Sequence, residues 1–179
     1  YNGPKCGASA PDHMHLQAGT GIHLPLRDNW ELLYSNRQTL LSSPDGSELA
    51  AINNYACPAF TIVGRDAKAD NTLFETLYKA LPQREDETEP MFNILKWREG
   101  ETFITVVIPR DKHRPACYSA EGDAQMLISP GALDMAGLVI TPRKEDFERL
   151  NTPLLESLYE EVGMPTTTFE DVKRKIMRS

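Results

Sequence analysis

The run Thr102-Phe103-Ile104-Thr105-Val106-Val107-Ile108 constrains the fold more than any other stretch of the chain. It is β-branched and apolar at both alternate sets of positions, so a strand made from it has to be buried on both faces. Residues 91–98 precede it with Gly100 at the bend, and the pair reads as a β-hairpin. A buried hairpin strand needs further antiparallel neighbours. Residues 48–52 and 59–63, joined through Asn53-Asn54-Tyr55 and Pro58, are expected to supply them. Residues 30–34, with a Trp and a Tyr, read as another short strand. Residues 125–128 and 138–140, on either side of Ser129-Pro130-Gly131, read as two more strands or as a strand and a covered loop.

Helical spacing appears in two places. Asp70 is the expected N-cap of a helix reaching about Leu81, with Leu73, Phe74, Leu77, Tyr78 and Leu81 on one stripe and Pro82 as the stop. Beyond Pro142 the character of the chain changes. Residues 144–150, 153–162 and 168–177 are periodic, Thr152-Pro153 and Thr168-x-x-Asp171 mark starts, and Gly163 marks a stop. Leu154, Leu155, Leu158 and Val162 form a stripe expected to dock on the sheet. The fold class that follows is α+β, an antiparallel sheet with flanking helices, sheet-rich over 1–141 and helical over 142–179.

Chemistry concentrates at the beginning. From Gly3 to Pro11 small residues and prolines predominate, so the backbone can approach a ligand and aim its N–H groups at it. From His13 to Gln17 polar and apolar residues alternate, the period of a strand, here expected over 13–19 and central in the sheet. His13, His15 and Gln17 then share one face, and Met14 and Leu16 turn to the core. A neutral imidazole is nucleophilic near neutral pH. Phosphoryl and nucleotidyl transfer need such a group in line, with donors for the non-bridging oxygens. Gly7, Ala8 and Ser9 are candidate phosphate donors. The same pentapeptide also fits a half-exposed strand with no chemistry, and His-x-His is a common metal pair. Cys6, Asp12, His23 and His113 do not sit at a diagnostic ligand spacing around it.

The pattern Asn2-Gly3…Gly7-Ala8-Ser9-x-Pro11…His13-x-His15-x-Gln17 resembles the active-site signature of the histidine-triad (HIT-like) superfamily. The branch it is similar to holds galactose-1-phosphate uridylyltransferase, diadenosine tetraphosphate phosphorylase and GDP-L-galactose phosphorylase, where Gln replaces the third His. The segments at 91–95, 103–112 and 136–140 resemble, in that order, the C-terminal part of diadenosine tetraphosphate phosphorylases. Within the branch the chain resembles bacterial members. The resemblance implies a HIT-like fold and a nucleotidyltransferase or phosphorylase, with His15 carrying the nucleotidyl group. By the same resemblance Ser9 and Gln17 contact phosphate, and Asn2 and Asn93 approach the nucleotide. It implies that the chemistry needs no metal, that Mg²⁺ accompanies a polyphosphate substrate, and that zinc at His13 stays open for the longer protein. Asp12, between Pro11 and His13, departs from the family's usual spacing. Hydrolysis, or nucleotide binding without turnover, stays open beside transfer.

Other features bound the partners. Nineteen basic and 26 acidic residues leave a net charge of −7, which argues against nucleic acid or an anionic membrane but not against a nucleotide held by local donors. Arg110, Lys112, His113 and Arg114 follow the buried strand. Arg110 and Lys112 are candidate polyphosphate contacts, and the alternative is a solvated basic loop. The run at 84–89 is acidic and expected to be a solvated loop. Three scattered cysteines fit free thiols in a reducing, cytoplasmic setting. The expected substrate is a nucleotide or nucleotide sugar, and a homodimer is one open assembly. Tyr1 falls at the edge of the signature loop, so the chain is expected to be the C-terminal part of a longer protein.

Overall fold

The computed structural model describes residues 1–8, 12–14, 16–20 and 23–179. The elements, in chain order, begin with α1 (Pro25–Asp28) and α2 (Trp30–Ser35), followed by β1 (Arg37–Ser42), β2 (Glu48–Ile52), β3 (Ala59–Gly64) and α3 (Ala67–Ala80). Next come β4 (Phe92–Glu99), β5 (Thr102–Pro109), α4 (Ala132–Met135), α5 (Lys144–Arg149), α6 (Thr152–Val162) and α7 (Thr166–Ile176). Among the described residues the strands form one antiparallel sheet in the order β1-β2-β3-β5-β4.

Two-sided burial of the central strands organises the layers. Every residue of β2 and β3 is buried, as are the last six of β5. On one face Leu49, Ala51, Phe60, Ile62 and Val107 meet Leu73 and Leu77 of α3 and Phe169, Val172 and Ile176 of α7. On the other face Ile52, Ala59, Val63, Ile104, Val106 and Ile108 meet Leu26, Trp30 and Leu33 from α1 and α2, Met135 of α4, and Tyr159 and Val162 of α6. The alternation along each strand divides the two sets, as a pleated sheet requires. Leu158 of α6 turns away from the sheet to pack with Met126 and Ile128, so the expected α6 stripe serves two surfaces.

Several local expectations are corrected. Residues 30–34 are helical rather than a strand, because Trp30, Leu33 and Tyr34 at i, i+3 and i+4 make one face, with Trp30 stacked on Tyr34 and edge-on to Trp97. Pro25 starts a short helix, its fixed φ suiting the first helical turn. β1 was not foreseen. Asp66, not Asp70, caps α3, accepting from the Ala69 N–H at 2.8 Å. Asp70 is buried beside Gly64, where it takes the Lys96 ammonium and, at 3.1 Å, the Thr105 hydroxyl. Neither 125–128 nor 138–140 is a strand. Asp134 holds the segment in between, accepting from Gly131 N–H at 2.9 Å and Ile140 N–H at 2.7 Å, so side chain and not ladder satisfies that backbone.

Candidate active site

The outer edge of β4 receives the start of the chain. The Tyr1 main-chain nitrogen donates to Ile94 O (2.7 Å), Ile94 N–H to Tyr1 O (3.0 Å) and Gly3 N–H to Phe92 O (3.1 Å), with Asn2 bridged to Asn93. Residues 4–7 then turn, closed by Cys6 N–H to Gly3 O at 2.9 Å. This strap passes against the 129–132 segment at Gly7. The Gly7 φ is +86°, and a Cβ there would lie 2.6 Å from Gly131 Cα. No residue with a side chain fits that crossing.

Strap, sheet and wall are tied by a buried polar chain. Asn93 is 0% exposed; its amide donates to Asn2 Oδ1 (2.8 Å) and Cys6 O (2.7 Å), and its Oδ1 accepts from Arg110 Nη1 (2.6 Å). Asn2 Oδ1 also accepts the Ala132 N–H at 2.6 Å. Arg110 is 4% exposed. Its remaining donors reach Pro130 O (2.9 Å), Val162 O (3.1 Å), Lys112 O (3.1 Å) and His113 O (3.3 Å). A guanidinium has five N–H groups, and each has an acceptor here. The expectation that Arg110 receives polyphosphate is therefore corrected, since no donor is left for a ligand. Burial lowers its pKa, with the negative potential of Asp134 among the opposing influences, yet an arginine remains charged.

A cleft of about 260 Å³ opens beside this knot, lined by Asn2, Gly7 and Gln17 on one side and by Leu127, Ser129, Gly131, Ala132, Leu133, Asp134, Ile140 and Pro142 on the other. Three candidate residues of the first segment thus meet at one hollow. Ala8 is half-buried at the end of the strap. Ser9 and His15, the candidate phosphate contact and nucleophile, lie outside the described residues. His13 is exposed, with Nδ1 3.1 Å from Asp12 Oδ1. The Lys112 ammonium pairs with Glu161 at 3.1 Å across the surface.

Two further expectations change. None of the described residues of 12–20 is in a strand, and Met14 and Leu16 are 78% and 74% exposed rather than in the core. Alternation gives a strand its faces but not its partner, and residues 1–3 already lie on the neighbouring edge of β4. The Gly7 N–H points to His113 Nδ1 at 3.4 Å. His113 is held neutral chiefly by partial burial, with Arg114 and Arg110 adding to it, which suits a ring nitrogen that accepts. The wall at 129–134 was legible only as a Ser-Pro-Gly turn, and the buried role of Asp134 had no sequence signal. Among the described residues no three His, Cys, Asp or Glu side chains are grouped as metal ligands would be.

A family model described as GDPGP1-like, C-terminal domain matches residues 32–179. The chain belongs to the GDPGP1-like C-terminal domain family. A second model, a domain of unknown function (DUF4922), matches residues 1–20, which hold the strap, His13 and His15. Among solved structures the chain is similar to yeast Ap4A phosphorylase Apa2, at 17% identity and a TM-score of 0.56, over 92% of this chain and 55% of that one. The GDPGP1-like chain thus spans about half the length of that structure, and the likeness is one of fold: an open antiparallel sheet with flanking helices. No curated protein matches. Family and fold agree with the branch that the first segment resembles.

Proposed function

We propose that the chain carries the catalytic segment of a nucleotidyltransferase of the phosphorylase type, acting on a nucleotide sugar or nucleoside polyphosphate. The observation that carries this reading is the hollow at which Asn2, Gly7 and Gln17 converge, Gln17 following His13 and His15 in the sequence. The neutral His15 imidazole attacks the α-phosphorus. An N–P bond forms, the P–O bond to the leaving phosphate breaks, and a nucleotidyl-histidine remains. Inorganic phosphate or a sugar phosphate then attacks the same phosphorus and the N–P bond breaks, returning the imidazole. Gln17, the Ser9 hydroxyl and the Ala8 amide donate to the non-bridging oxygens as charge develops. The Gly7 amide, bonded to His113, fixes the strap instead.

In this reading the transfer needs no resident metal and Mg²⁺ enters with a polyphosphate substrate. Among the described residues no group of His, Cys, Asp or Glu side chains completes a zinc site at His13. Among the described residues no helix is long and apolar enough to cross a membrane.

Incubating the longer protein with α-phosphate-radiolabelled nucleotides tests the proposal. The expected result is acid-labile, base-stable label on the protein, lost in His15→Ala. Failure of the unaltered protein to take label from any nucleoside diphosphate, nucleotide sugar or dinucleoside polyphosphate overturns it. Phosphate-dependent release of product marks phosphorolysis, and release in water alone marks hydrolysis.

A further inference from the structure

We infer that Arg110 is a positioning residue, whose buried guanidinium sets the strap and the 129–132 wall at the separation the reaction requires without touching substrate. The inference rests on the transferase reading above. A guanidinium removed from water is costly unless each donor is matched. Here the acceptors come from separate parts of the chain: Asn93 on β4, Pro130 in the wall, Val162 at the end of α6, and Lys112 and His113 in the loop after β5. Among the described residues no carboxylate hydrogen-bonds to it, so the arrangement is a fork on fixed acceptors and not an ion pair.

The consequences run outward to both walls. Through Asn93, Arg110 orients the amide that holds Asn2 Oδ1 and Cys6 O. Through Pro130 O it fixes the segment whose Ala132 N–H donates to the same Asn2 oxygen. Through His113 O it steadies the ring that accepts from Gly7 N–H. Asn2 and Gly7 both line the cleft. A lysine at 110 would keep the positive charge but offer three donors from a single nitrogen, and these cannot reach acceptors spread around a planar fork.

The test compares Arg110→Lys with the unaltered longer protein in single-turnover labelling of His15, with nucleotide affinity measured separately by equilibrium binding. A displacement of about 1 Å in a reacting pair costs on the order of 100-fold in rate. The expected result is a loss of about that size in the labelling rate at saturating nucleotide, with dissociation constants within about threefold, on the scale of ordinary surface effects. A folded variant that labels at an unchanged rate overturns the inference. A large loss of affinity with an unchanged saturated rate also overturns it, because Arg110 would then contact the substrate. Should Arg110→Lys not fold, Asn93→Ser carries the same comparison. A combined Asn2→Ala/Arg110→Lys protein should lose little more than the worse single variant, since both act through one chain of bonds, and multiplied effects count against the inference. Absence of label in the unaltered protein is a failure of the transferase reading, separate from these outcomes.

Discussion

Gly7 and His113 show how much of the site depends on single residues. At Gly7 a left-handed backbone and a contact with Gly131 leave no room for a side chain, so the small residues that looked like a phosphate loop are also a packing requirement between strap and wall. His113 accepts the Gly7 N–H only while its Nδ1 is unprotonated. Burial, then the Arg114 and Arg110 charges, hold its folded pKa below 6.5. Below pH 6.5 the unfolded chain takes up a proton here that the folded protein resists. The contribution of neutral His113 to stability is thus complete above that pH and falls away as pH drops toward the folded value. Urea midpoints of the unaltered protein and His113→Asn, which cannot titrate, should differ by a constant amount above about pH 7. The unaltered protein should then lose ground relative to the variant as the pH falls further. A difference that stays flat would refute the assignment. The sequence singled out Asn2 and Asn93 as nucleotide contacts, not as partners of each other. Asn2 and Asn93 could be named from a resemblance, while their meeting across the edge of β4 required two segments 91 residues apart to pair.

Among elements, the hairpin was the most legible, because residues 102–108 carry their burial in their composition. The last helix was almost as clear. α7 lies on the sheet through Phe169, Val172 and Ile176, and the Phe169 ring sits 4.4 Å, centroid to centroid, from that of Phe60. Removing a buried aromatic ring costs about 3–5 kcal/mol. Phe169→Ala should therefore lower the unfolding free energy by about 3–5 kcal/mol in chemical denaturation, and a loss below about 1 kcal/mol, the range of surface substitutions, would show that α7 adds little to the core. α2 was misread because Trp and Tyr favour strands only as a weak average, whereas packing against Trp97 selects the helical face. α3 was placed correctly but capped one turn late. Two aspartates four apart compete for the cap, and Asp70 is drawn to Lys96 and Thr105, side chains that belong to other strands.

Over the whole molecule, both faces of the sheet are covered, α3 and α7 on one and α1, α2, α4 and α6 on the other. Cys6 and Cys57 are enclosed by this packing, and burial pushes each thiol up to about 12, while Cys117 is partly open. A thiol reagent at pH 8 should modify Cys117 first, and Cys6 and Cys57 only when the protein unfolds; equal rates for all three by mass spectrometry would contradict the layering. The sequence by itself determined the fold class. Strand period, two-sided apolar runs, helical stripes and the Pro142 boundary are local properties, and local chemistry is enough to produce an antiparallel sheet with helices late in the chain. Tertiary structure alone decided the site. Whether Arg110 meets a ligand or five internal acceptors depends on where Asn93, Pro130 and Val162 come to rest. Whether 13–17 pairs as a strand depends on which edge is vacant. A hydrogen-bonding group records what it can bond to, and only the folded chain determines which partner arrives.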